Sequence, residues 1–162
     1  MKLNRRLFTT GLFTALPLGI ISPRVFAAEP VAGIMYKNPT CTCCETYAAY
    51  LEKNGFAIKL IATNDLETVS AKMGVPPELQ GCHTITFANY VVVGFVPVDQ
   101  VKKMLFTMPK ITGLSMPNMP MDIPGMGFDS MPGQASSGQV YTTYAFTKGD
   151  PKPSVYGTYP QT

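Results

Sequence analysis

Cys41-Thr42-Cys43-Cys44 sets three thiols in four positions, and Cys82-His83 joins the fourth cysteine to the only histidine. Every thiol and imidazole of the 162-residue chain therefore lies in one of two short segments. Thiolate and imidazole are ligands of soft metals, and thiolate is also the nucleophile of disulfide exchange. Such a concentration points to one site with one of those chemistries.

Spacing narrows the choice. Cys41 and Cys44 can share a face in the first turn of a helix, whereas Cys43 and Cys44 diverge by about 100°. All three reach a single ion only with distortion, but they can surround two or more ions through bridging sulfurs. Cu(I) is soft and accepts thiolate and thioether at low coordination number. Zn(II) also takes cysteine and histidine, yet C-x-C-C lacks the regular ligand spacing of common zinc fingers. Copper is the expected metal and zinc the weaker candidate, as a zinc-stabilised structural module. The C-x-x-C pair Cys41/Cys44 keeps thiol–disulfide exchange open as a second function. Disulfides Cys41–Cys44 and Cys43–Cys82 also remain open as purely structural bonds. His83 is expected as a ligand or beside one, with a buried core role as the plainer alternative.

The elements that must carry these residues follow from periodicity and punctuation. A strand over Val31 to Tyr36 breaks at Asn38-Pro39, and Thr40 or Cys41 caps a helix that ends at Asn54-Gly55. A second strand, Ala57 to Ala62, runs parallel to the first if the helix is a crossover. A short helix from Leu66 to Met73, strands at Thr84 to Phe87 and Val91 to Val93, and a helix from Val98 to about Met108 complete the order. This is the sequence of elements in a thioredoxin-like α/β fold, a mixed sheet flanked by helices. In that fold segments 41–44 and 82–83 meet at the amino-terminal end of the first helix, where the helix dipole favours thiolate. Residues 109–138 form a Pro/Gly/Met-rich loop in which no regular element is expected. A terminal β-hairpin over Gln139 to Phe146 and Ser154 to Tyr159 follows.

The start of the chain reads as an address. Lys2, Arg5 and Arg6 precede an apolar run from Leu7 to Ile21, and Val25-Phe26-Ala27 offers a cleavage site after Ala27. Residues 1–27 are read as a signal peptide, by the Sec or twin-arginine route, and 28–162 as a single periplasmic domain that does not span the membrane. The whole chain carries 13 basic and 10 acidic residues, +3 net. Removing Lys2, Arg5, Arg6 and Arg24 leaves 9 minus 10, or −1, and no arginine. Nucleic-acid and phosphate recognition lean on Arg and Lys and are not expected. No paired carboxylates offer general acid–base catalysis.

Tyr36-Lys37-Asn38-Pro39-Thr40-Cys41-Thr42-Cys43-Cys44, Asn54-Gly55-Phe56, Gly74-Val75-Pro76-Pro77-Glu78-Leu79 and Cys82-His83-Thr84 together resemble a bacterial family of exported metal-binding proteins. That family includes the copper-resistance protein CopG. Gly113-Leu114, Met116-Pro117-Asn118-Met119-Pro120 and Ser154-Val155-Tyr156 also look like it. The resemblance spans essentially all of 28–162. It implies a thioredoxin-like fold and copper handling in the periplasm, with Cys41, Cys43, Cys44 and Cys82 as ligands and His83 beside them. Thr42 departs from it, standing where the family often has glycine. The partners implied are copper ions and other periplasmic copper-handling proteins. Methionines in the 109–138 loop resemble the Met-rich tracts of copper proteins, although flexible Met side chains also fill gaps. Met119 and Met126 are the weaker candidate ligands, and Met35 is placed in the core.

Overall fold

The computed structural model describes residues 29–118, 123–126, 138–150 and 152–160. Residues 1–27, expected to be a signal peptide, and Met119 lie outside the described residues. Strands β1 (Val31–Lys37), β2 (Phe56–Ala62), β3 (His83–Phe87), β4 (Tyr90–Gly94), β5 (Gly113–Met116), β6 (Tyr141–Phe146) and β7 (Ser154–Tyr159) form one mixed sheet in the order β2-β1-β3-β4-β5-β6-β7. The helices are α1 (Thr42–Lys53), α2 (Leu66–Lys72) and α3 (Val98–Thr107). β1 pairs parallel to β2, as a helical crossover requires, and antiparallel to β3.

Strand register shows how the core is built. Met35, Ile85, Val92, Leu114 and Ala145 are successive cross-strand partners over five strands. Side chains of such a row share one face of the sheet. All five lie in the main buried cluster with Cys44, Tyr47, Ala48 and Leu51 of α1 and Val98, Val101 and Met104 of α3. Spacing of three and four along α1 turns that stripe inward, and each large apolar side chain so buried contributes about 1.5–3 kcal/mol. The opposite face carries a second cluster, Val75, Leu79, Val91, Val93 and Phe146, under the segment that follows α2.

One expectation fails. The 109–138 stretch does contain a regular element, because β5 lies within it and is buried at every position. Pro109 and Pro117 flank this strand without interrupting it, and β4 and β6 supply hydrogen-bonding partners on both sides. Gly113 is required there, since a β-carbon would collide with the Val91 carbonyl oxygen and approach Phe146 to 2.8 Å. β5 thereby joins the terminal hairpin to the main sheet.

Candidate metal centre

β1 ends at Lys37, and the chain turns through Asn38 to Thr40 into α1. Cys41 is the N-cap, its sulfur accepting from the Cys44 backbone N–H at 3.3 Å. The start of α1 therefore carries all three clustered cysteines, while its buried side chains Tyr47, Ala48 and Leu51 hold it against the sheet. The antiparallel ladder sets Lys37 opposite His83, and the Asn38 N–H reaches the Cys82 carbonyl at 3.5 Å. Two segments distant in sequence thus meet because β1 is shared between them.

The sulfurs of Cys41, Cys43, Cys44 and Cys82 all lie within 4.8 Å of one another. Cys44 is buried and the other three are partly exposed, so the group opens toward solvent on one side. Cys41 and Cys44 are joined as a disulfide, with α-carbons 5.5 Å apart, while Cys43 and Cys82 are thiols. Of the two disulfides left open by the sequence, only the first is formed. Cys43 Sγ stands 3.3 Å from Cys41 Sγ, and Cys44 Sγ lies 3.4 Å from the Cys82 carbonyl oxygen. Burial, then the neighbouring Cys43, pushes the Cys82 thiol up to about 11. Cys82 precedes β3 and is not part of α1, and for this thiol burial outweighs the expected favouring of thiolate.

His83 is fully buried beneath the thiols. Its ring packs against Tyr47 at 5.1 Å and edge-on to Phe95 at 5.2 Å. Nε2 donates to the Gly94 carbonyl at 3.1 Å, and a carbonyl can only accept. The neutral ring therefore keeps its lone pair on Nδ1, which faces Cys82 Sγ at 3.5 Å. Burial holds this imidazole down to about 4, so it is neutral at pH 7. Gly94 has φ +70°, and a β-carbon there would strike the Met116 carbonyl oxygen, so glycine is needed to present this acceptor.

Met126 is buried in the main core cluster with Cys44 and Tyr47, and Met35 is fully buried there too. Sequence reasoning passed over Lys37. Only 4% of it is exposed, and its ammonium donates to the carbonyls of Asn38 (3.2 Å), Pro39 (3.3 Å) and Cys41 (3.2 Å) and pairs with Glu45 at 3.0 Å. Gly33, Met35 and Lys37 alternate as the buried positions of β1, so a charge at an inward position beside the cysteines was the available signal.

A family model described as a protein of unknown function, DUF411, matches residues 79–126. A search of curated proteins returns no match. Two solved structures of copper resistance protein CopG resemble most of this chain. Form 2 is 30% identical with a TM-score of 0.70, covering 82% of this chain and 100% of that one. Form 1 is 29% identical with a TM-score of 0.69, covering 81% and 98%. With two distant segments delivering four sulfurs to one spot, and this likeness over the full length of the solved chains, the protein belongs to the CopG-like copper-resistance family.

Proposed function

We propose that the protein is a periplasmic copper-binding protein of copper tolerance, holding Cu(I) in a multinuclear thiolate site. Residues 1–27 are its signal peptide and 28–162 a thioredoxin-like domain. The flanking of one sheet face by α1 and α3 and of the other by the α2 segment supports that fold assignment. The observation that carries the function is the gathering of the Cys41, Cys43, Cys44 and Cys82 sulfurs within 4.8 Å. Metal–sulfur bonds of about 2.3 Å need sulfurs this close, and softness selects copper. Divergence of adjacent Cys43 and Cys44 favours sulfurs bridging several ions over one tetrahedral ion. His83 joins through Nδ1, its other nitrogen being anchored on a carbonyl as in metal-ligating histidines. Met119 and Met126 are secondary thioether donors.

Anaerobic titration of the reduced protein with Cu(I), followed by native mass spectrometry, tests this reading. More than one ion should bind, and more than one should be lost together in Cys43→Ser. Uptake of a single ion, indifferent to Cys43, would refute the multinuclear site.

The disulfide at the start of α1 supports a second reading, a thiol–disulfide or copper oxidoreductase using Cys41 and Cys44. Sustained turnover on a disulfide substrate that survives Cys82→Ser would favour it over copper holding.

A further inference from the structure

Lys37 is the only buried lysine among the described residues. Burying an ammonium is costly unless all its donors are satisfied, and this one meets three loop carbonyls and one carboxylate. Fold stability is a poor reason for that arrangement. Glu45 is 56% exposed, so the ion pair is screened and worth little. Of the three acceptor residues Asn38 and Pro39 are exposed and Cys41 is partly exposed, so these carbonyls can find water without the lysine.

What the ammonium achieves is conformational. Its acceptors lie on the short loop that ends at the N-cap cysteine, and Glu45 lies in the first turn of α1. The same residue's backbone is paired with His83, next to Cys82. One residue thus ties the loop bearing Cys41 and the helix start bearing Cys43 and Cys44, through its side chain, to the strand that follows Cys82, through its backbone.

We propose that Lys37 is the positioning residue of the metal centre, clamping the Asn38–Cys41 loop so that the four sulfurs converge before any ion arrives. The metal part of this rests on the copper reading above; the clamp itself does not.

The test compares reduced wild-type protein with Lys37→Met, which keeps an unbranched stem and removes the donors. In the metal-free protein, amide hydrogen exchange over residues 40–44 should rise by roughly tenfold or more, the scale of lost charged hydrogen bonds, while α3 is unchanged. In Cu(I) competition against a chelator, Lys37→Met should bind about 10- to 100-fold more weakly, as losses around metal ligands do. Native exchange over 40–44, or native affinity in a wild type that binds Cu(I), overturns the proposal. If Lys37→Met does not fold, Lys37→Gln, which keeps a polar end but loses the charge and one N–H donor, decides. Exchange over 40–44 rising roughly two- to fivefold or more supports the clamp, and no change overturns it. If the wild type takes no Cu(I), the copper reading fails, and the exchange measurement still judges Lys37.

Discussion

Acid should weaken the metal-free fold through one residue. His83 titrates at an ordinary 6.5 when unfolded and near 4 when folded, because its ring is sealed between Tyr47 and Phe95. Between those values the unfolded chain binds a proton that the native protein refuses. Stability is therefore complete above pH 6.5 and falls as pH drops toward 4. At about 1.36 kcal/mol per pH unit, the loss comes to about 2 kcal/mol from pH 7 to pH 5 and about 3 kcal/mol by pH 4. Against a typical domain stability of about 5–15 kcal/mol, this is a measurable shift without unfolding. Urea denaturation of reduced, metal-free protein at pH 7, 6 and 5 should show it, and His83→Gln should remove it. Other titrating groups contribute equally to both proteins, so the difference between the two pH profiles is the quantity to read. Identical profiles would refute the idea that His83 is held neutral by burial.

Tyr47→Phe leaves the buried Val96 carbonyl without its 2.6 Å hydrogen bond and should cost about 1–3 kcal/mol in chemical denaturation. Gly113→Ala forces a β-carbon onto the Val91 carbonyl and should cost at least about 1–3 kcal/mol, read as a lower urea midpoint. With Cys82 titrating near 11, copper binding at pH 7 must displace its proton. Apparent Cu(I) affinity should then rise about tenfold per pH unit for each proton displaced, and Cys82→Ser should lower that slope by one proton.

The sequence made the first half of the fold readable because its signals are local. Asn54-Gly55 ends α1 with Gly55 at φ +93°, Asp65 caps α2 through Thr68, and short apolar runs set off by turn residues mark β1 through β4. Convergence of Cys41, Cys43 and Cys44 with Cys82 was also readable, since a crossover after β1 leaves few other topologies. β5 was hidden because Gly113 and two flanking prolines signal a loop, while the reason for the strand lies in β4 and β6, distant in sequence. Local propensity does not see partners. Lys37 was missed because its carbonyl acceptors are backbone atoms, invisible to a search for complementary side chains. The orientation of His83 depends on a single carbonyl, that of Gly94, which no sequence pattern marks.

The disulfide and the metal centre compete for the same atoms. With Cys41 and Cys44 joined, the thiols left are Cys43 and Cys82, and His83 Nδ1 is the adjoining nitrogen donor. Two thiolates and an imidazole suit one ion and cannot surround several. Reduction adds two electrons, breaks the S–S bond and restores four sulfurs to the same small volume. On the copper reading proposed above, capacity then follows thiol state, because the four sulfurs already lie within 4.8 Å of one another. The two functional readings then differ in which step comes last. A copper holder ends with metal on all four thiolates, whereas an oxidoreductase must return to the bonded pair. Only protein reduced before titration presents the full donor set, so a low copper count from oxidised protein reports the disulfide and says nothing about the site.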